Sequence, residues 1–369
     1  GGGYVLPVKD NQKNPRENIQ TAFDEPVFPL ISFESDCEKT HGRIERRTLM
    51  RWLEGVMWAS AFSPRADEGV TNEYCVPRIG GMGGGMARNL IKHGHKVIAW
   101  NRSPEPAAAI QAEGARIAAT PAEAARGAEI VITMLANDEA VDSVTLGPDG
   151  LAGGLAKGAA HVSMSTISVA LSERLTAAHA ERGQQFVSAP VFGRPDQALA
   201  GKLFIAVAGA AGVVERIRPA LDAIGQRSFV IGDTPAQANL VKLTGNFLIT
   251  CVIESLAEAF ALTAKGGIET SRVYELLTET LFAAPVYKTY GEIILEGRFS
   301  PAGFKMALGQ KDNRLVQLAA ETLEVPLPFA AIVRDRFLAA LAHGDGDLDW
   351  AAIAKRAAED AGVTKPGLR

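Results

Sequence analysis

"RIGGMGGGMARNL" (residues 78–90) sets glycine at 80, 81, 83, 84 and 85 and then runs directly into a helix-favouring stretch. A loop that cradles a dinucleotide needs glycine for three reasons. The first permits a tight turn, the second lets backbone approach the pyrophosphate, and the third lets helix pack on strand. The phosphates then rest on free N–H groups at the positive end of the helix dipole. Gly80 and Gly83 match the second and third positions, with Gly81 and Met82 between them. Arg78 stands at the first. Pro77 precedes it in "EYCVPRI", a poor sequence for a central strand, because proline forfeits a ladder hydrogen bond. Taken alone the loop is ambiguous, since glycine-rich turns serve many ends.

The stretch that follows adds to it. "KVIAW" (96–100) reads as a buried strand and ends in Asn101, Arg102 and Ser103. In a dinucleotide fold these residues meet the adenosine ribose. An acidic residue there would hold the 2′-hydroxyl of NAD, whereas arginine accepts the 2′-phosphate of NADP. The sequence therefore points to NADP, with NAD possible. The plain alternative is a solvated arginine at a strand end.

Further strand-like runs follow: "EIVITML" (129–135), "AAHVSM" (159–164), "FVSAP" (186–190) and "LFIAVAG" (203–209). Alanine-rich helical stretches lie between them, at 82–93, 104–113, 120–127, 138–145, 168–182 and 211–223. Such alternation predicts an α/β fold with a parallel, doubly wound sheet. After "SFVIGDTPAQ" (228–237) the periodicity is helical, beginning with one long helix over about 236–265 that "KGGIE" ends with glycine. The expected plan is an unassigned extension over 1–75, a dinucleotide domain over 76–235, an all-α domain over 236–356 and a tail over 357–369. Within the extension, 43–61 can form one short helix.

Composition excludes several classes. With 38 basic and 42 acidic residues the net charge is −4, so no global basic field draws nucleic acid or an anionic membrane. No apolar run reads as long enough to cross a bilayer. Cys37, Cys75 and Cys251 are scattered and form neither a disulfide framework nor a metal pair. A reducing cytoplasm is the expected setting, and no metal is expected.

Three stretches carry candidate chemistry. "SMSTIS" (163–168) places Ser165 and Thr166 at a strand's carboxyl end, where open sheets bind ligands; helix capping is the commoner use of such residues. "SAPVFGRPDQALAGKL" (188–203) puts Gly193 in a turn. "NLVKLTGN" (239–246) sets Lys242 among leucines and valine, with Asn246 four residues on and on the same helical face. A lysine shielded from water has a lowered pKa and can exchange protons near neutrality. A lysine that snorkels to solvent fits the same spacing.

"GGMGGGMARNLIKHGHKVIAWNRS", "SMSTIS", "APVFGR…AGKLFIAVAG", "VKLTGN" and "FKMALGQKDNRL" follow one another in order. Together, over about residues 78–356, they resemble the β-hydroxyacid dehydrogenase family, which includes 3-hydroxyisobutyrate dehydrogenase and glyoxylate/succinic semialdehyde reductases and is related to 6-phosphogluconate dehydrogenase. The resemblance implies a Rossmann-type domain followed by an all-α C-terminal domain, and a homodimer or homotetramer formed through the helices. It implies that Lys242 is the catalytic lysine and that Asn246 orients it. It implies that Ser165, Thr166 and Gly193 hold a small carboxylate or aldehyde substrate, and that Phe304 and Asp312 close the site. Met134, Leu135 and Lys311 are implied as further cofactor contacts. Phe192 and Arg194 depart from the family's small or polar residues: Phe192 adds apolar bulk, and Arg194 is free to pair with a second anionic group or to be solvated. Two other readings share these motifs. An imine reductase on the same fold is opposed by lysine at 242. A catalytically silent dinucleotide-binding scaffold fits Arg78 but not the intact Lys242–Asn246 pair.

Overall fold

Strands that are apolar on both faces need cover on both faces, which parallel βαβ crossovers provide. "IVIT" and "AHVS" are buried at every residue, and the chain builds that arrangement around them. The computed structural model describes residues 73–77, 81–102 and 104–363, all within one unit, Gly69–Arg369. In chain order the first half runs β1 (Glu73–Pro77), α1 (Gly81–Lys92), β2 (Lys96–Trp100), α2 (Pro104–Ala112), β3 (Arg116–Ile117), α3 (Pro121–Ala125), β4 (Ile130–Thr133), α4 (Asp138–Leu146), α5 (Leu151–Gly154), β5 (Ala160–Ser163), α6 (Val169–Glu181) and β6 (Gln185–Ser188). There follow β7 (Val191–Phe192), α7 (Pro195–Leu199), β8 (Leu203–Ala208), α8 (Ala211–Ile224) and β9 (Gly225–Gly232). The helical half comprises α9 (Pro235–Lys265), α10 (Thr270–Glu279), α11 (Pro285–Glu296), α12 (Met306–Thr322), α13 (Pro328–Ala342) and α14 (Ile353–Asp360).

The sheet order is β3-β2-β1-β4-β5-β6-β8-β7, with β9 beside β8. The first six strands are parallel, so their carboxyl ends share one edge. The expectation of an all-parallel sheet needs correction at the far side: β8 runs antiparallel to β6 and β7. The hairpin-like turn from β7 through α7 into β8 reverses the chain there. One face of the sheet is covered by Met86, Leu90, Ile110, Ile217 and Ile224; Leu151 and Leu155, then Leu171 and Leu175, cover the other.

A second correction concerns β1. Despite Pro77, residues 73–77 form a central strand between β2 and β4, beginning inside the segment expected to be extension. The proline is tolerated because it ends the strand: β4 pairs only with Tyr74 and Cys75, so Pro77 lies beyond that ladder. Arg78 and Gly80 lie outside the described residues. Beyond them α1 is anchored by α7. Asn89 donates to the Ala198 carbonyl at 2.8 Å, and a Cβ at Gly85 would lie 2.7 Å from the Leu199 nitrogen.

The long helix was expected over 236–265 and forms over Pro235–Lys265. Contrary to the expectation from apolar runs, α9 is long and apolar enough by composition to cross a bilayer. Its apolarity has another use here. Ile253, Leu256, Ala257 and Phe260 are buried against Ile294, Phe337, Trp350 and Ile353, so α9 is the axle on which the other helices pack.

A buried polar chain crosses the sheet's second face. The Gln184 amide nitrogen donates to the carbonyls of Ala152 and Leu155, so its oxygen faces His179 Nδ1, 2.7 Å away. That nitrogen carries the proton, and His179 Nε2 accepts from His161 Nδ1 at 2.9 Å. Thr133 in turn donates to His161 Nε2. Both rings are neutral and fully buried. Burial lowers both pKa values, His161 well below 6.5; the adjacent His179 ring adds to the shift of His161, while at His179 the hydrogen bond to Gln184 opposes the shift and Arg182 adds to it. The unfolded chain therefore binds more protons than the native one below pH ~6.5, and native stability falls as pH drops through that range. Urea titrations at pH 7.5 and 5.5 should show a loss approaching ~1.4 kcal/mol per pH unit for each histidine. The loss should shrink in His179→Gln; an equal loss in both proteins would contradict the assignment.

Candidate active site

The carboxyl ends of the parallel strands and the inward face of α9 meet at a cleft of about 270 Å³. Met82, Met134 and Thr166 line it from the sheet, Phe192, Gly193 and Arg194 from the β7–α7 turn, and Lys242, Asn246 and Ile249 from α9. Tyr290, Phe304 and Trp350 complete the helical side. A wider groove of about 900 Å³ borders Ser168, Leu240 and Leu318 and includes none of the expected site residues.

Lys242 is only 8% exposed. Its Nζ donates to Asn246 Oδ1 at 2.8 Å, the pairing that one helical turn allows. Asn246 Nδ2 donates to Asp312 Oδ2 at 2.5 Å, and Lys311 Nζ sits 2.8 Å from Asp312 Oδ1. Above Lys242 lies the Phe192 ring, its centroid 4.2 Å from Nζ. Gly245 makes room for that ring, since a Cβ there would lie 2.4 Å from it. Burial pulls the Lys242 pKa down to about 8; Asp312 opposes the shift and Lys311 adds to it. The amine is therefore poised to exchange a proton near neutrality.

Other expected residues fall in different places. Gly193 has φ +148°, a region nearly closed to other residues. Phe304 stacks edge-on to Trp350 with centroids 4.7 Å apart. Asp312 is buried behind Asn246 and acts through it. Ser165 requires correction: its hydroxyl accepts from the Leu135 N–H at 2.8 Å and faces the Thr133 carbonyl. It is fully buried and stitches the ends of β4 and β5 together, leaving Thr166 to line the cleft. Lys311 bridges the two halves of the site. Its ammonium is used by Asp312, the Thr166 carbonyl at 2.6 Å and the Ala136 carbonyl at 3.2 Å. The two carbonyl hydrogen bonds tie Lys311, on α12, to two strand-end loops.

The nucleotide side follows the same edge of the sheet. Gly81 opens α1, Met82 reaches the cleft, and Gly83 is buried. No acidic residue stands in the first turn of α1 to compete for its N–H groups. Asn101 and Arg102 follow β2, while Ser103 lies outside the described residues. Arg102 is exposed and borders a cavity of about 380 Å³ with Trp100, Leu135 and Asn137. The cavity beside Arg102 and the cleft beside Met82 both border residues that follow β2, β4 or β5 at their carboxyl ends.

Residues 78–232 match the NAD-binding domain of 6-phosphogluconate dehydrogenase, and residues 236–357 match the NAD-binding domain of NADP-dependent 3-hydroxyisobutyrate dehydrogenase. An uncharacterized oxidoreductase of Bacillus subtilis is 45% identical over 277 residues, 75% of this chain and 96% of its own length. The chain belongs to the β-hydroxyacid dehydrogenase family. Another relative, glyoxylate/succinic semialdehyde reductase 1 of Arabidopsis thaliana, is 30% identical over 74% of this chain and 94% of its own. A solved 3-hydroxyisobutyrate dehydrogenase from Salmonella typhimurium superposes with TM-score 0.71 at 28% identity, covering 77% of this chain and 99% of that one. The dehydrogenase is accordingly an NAD(P)-dependent enzyme acting on CH–OH or aldehyde groups, with a Rossmann-type sheet and a helical C-terminal domain.

Composition did not reveal what surrounds Lys242. Phe192 and Arg194 were visible as departures, but their contacts with Lys242 and with Asp349 were not. Gly193→Ala tests the turn that presents them. A Cβ would lie 2.6 Å from Leu203 Cδ2 and force strained backbone, at a cost of about 1–3 kcal/mol. A lowered thermal midpoint is expected; an unchanged one would show that the turn adopts another conformation.

Proposed function

We propose that the enzyme is an NADP-dependent oxidoreductase that interconverts a small β-hydroxyacid and its semialdehyde or oxoacid, with Lys242 as acid/base. The observation that carries this is the buried Lys242 ammonium, hydrogen-bonded to Asn246 in a cleft shared with the strand ends. When bound along those strand ends, the nicotinamide dinucleotide supplies or accepts the hydride. The first turn of α1 would hold its pyrophosphate and Arg102 its 2′-phosphate.

Lys242 does the proton work. In reduction its Nζ donates a proton to the oxygen of the carbonyl being reduced. In oxidation the neutral amine takes the hydroxyl proton. Asn246 fixes the amine through its Oδ1 while its own amide is held by Asp312. The Gly193 backbone and Thr166 orient the substrate, and Phe192, Phe304 and Trp350 keep water from the reacting atoms. Holding reactants in register is a large part of the rate gain.

Lys242→Met keeps the stem and removes the transferable proton. Turnover should fall by roughly 10²–10⁴ with cofactor binding retained, in assays of NADPH oxidation with aldehyde acids and NADP reduction with 3-hydroxy acids. Near-wild-type turnover would refute the role. The wild-type pH profile gives a second readout. Reduction needs the ammonium, so its rate should decline as pH rises through about 8, and oxidation should climb over the same range. The reverse pattern would contradict a lysine acid/base.

Arg102→Asp tests the cofactor preference. NADP affinity, followed by NADPH fluorescence, should drop roughly 10- to 100-fold, as for loss of a hydrogen bond to a charged group. NAD should be less affected; equal losses would argue against a 2′-phosphate contact.

A further inference from the structure

Ser165, expected to help hold a substrate carboxylate, is fully buried with its hydroxyl accepting from the Leu135 N–H and does not line the cleft. The cleft contains another group suited to the task. Arg194 leaves the β7–α7 turn directly after Gly193 and donates through Nη2 to Asp349 Oδ2 at 2.7 Å. Asp349 is 1% exposed, and the N–H groups of Gly303, Phe304 and Ala351 hold its carboxylate. The guanidinium fills a shaped slot. A Cβ at Gly303 would lie 1.7 Å from Nη2, and the Tyr290 ring lies 5.9 Å from Cζ. Its other terminal nitrogen, Nη1, has no hydrogen-bond partner, while the side chain as a whole is 26% exposed where it lines the cleft. A small rotation of the guanidinium would present the unpaired donor to a ligand oxygen, which relieves the cost of leaving it unpaired.

We propose that Arg194, steadied by Asp349, grips the substrate's anionic group, and that the site selects monoanions carrying a short apolar substituent. The charge balance supports the second half. Arg194 and Asp349 cancel, and Lys311 cancels Asp312, so Lys242 as ammonium leaves the cleft with one net positive charge. One anionic group is matched. A second would face Ile249, Val286, Phe304 and Trp350, which offer it no side-chain cation, and an uncompensated buried charge is strongly disfavoured. The pairing with Asp349 thus decides between the two roles open to Arg194: it is neither solvated nor a receptor for an additional anion, but the holder of the sole one.

This inference rests on the cleft being the substrate site, so its test reads binding and not turnover. Butyrate, butyramide and succinate are titrated calorimetrically into the full chain with NADP present. The wild type should bind butyrate at least tenfold tighter than either of the others, the scale of a charge-assisted hydrogen bond. R194M/D349N leaves no orphaned carboxylate and leaves the cleft's net charge unchanged while removing the directed donor, so the preference for butyrate over butyramide should fall at least threefold. A thermal melt verifies folding. Should that variant not fold, R194K serves: its ammonium stays on Asp349 and cannot also reach the substrate, so the same loss of discrimination is expected. Retained discrimination in the folded variant would overturn the role of Arg194, and tighter binding of succinate would overturn the selection for monoanions. Lys242→Met removes the net positive charge but keeps the Arg194 donor, so a reduced preference for butyrate over butyramide should remain. Turnover persisting in Lys242→Met would instead count against the catalytic reading alone.

Discussion

An ammonium group withheld from water must be compensated, and the compensation of Lys242 organises the molecule. Its hydrogen bond to Asn246 passes to Asp312 and from there to Lys311, whose remaining donors hold the carbonyls of Ala136 and Thr166. The chain begins on α9, crosses to α12 and ends on two loops of the sheet. One network therefore holds the buried ammonium, fixes the amide beside it and sets the helical half against the strand ends. Each link is buried or nearly so, where hydrogen bonds are strong and an unpaired member is costly.

A second connection works in parallel at the opposite wall. Arg194 belongs to the β7–α7 turn of the sheet, and Asp349 belongs to the helical half, where it gathers three backbone N–H groups. Phe192, two residues before Arg194, lies over Lys242. A single short turn thus reaches both the buried lysine and the ion pair across the cleft, which explains why its central residue is a glycine in a conformation other residues avoid.

What could be read from the sequence was whatever local spacing encodes. Lys242 and Asn246 are one helical turn apart, so their hydrogen bond follows from helix geometry. The strand–helix alternation and the position of Arg102 after β2 follow similarly from period and order. What could not be read depended on register between distant segments. Ser165 looked free because nothing local shows that the Leu135 N–H arrives beside its hydroxyl. Nor does anything local show that Lys311 meets the Thr166 and Ala136 carbonyls. Arg194 and Asp349 are far apart in the chain, as are His161 and Thr133, and no periodicity links them. Pro77 was misjudged for a related reason: whether a proline harms a strand depends on where the neighbouring ladder stops.

The placement of β1 has a consequence for how the chain is made. Its residues pair with β2 on one side and with β4 on the other, Tyr74 lying opposite Ile130. The central strand of the sheet is therefore synthesised before both of its partners, and one of its edges stays open until β4 emerges. Non-local pairing of this kind slows folding, and an open apolar edge invites wrong partners in the interval. The sheet closes from its middle outward only after synthesis has passed β4, so conditions that delay elongation between β2 and β4 prolong the exposure of that edge.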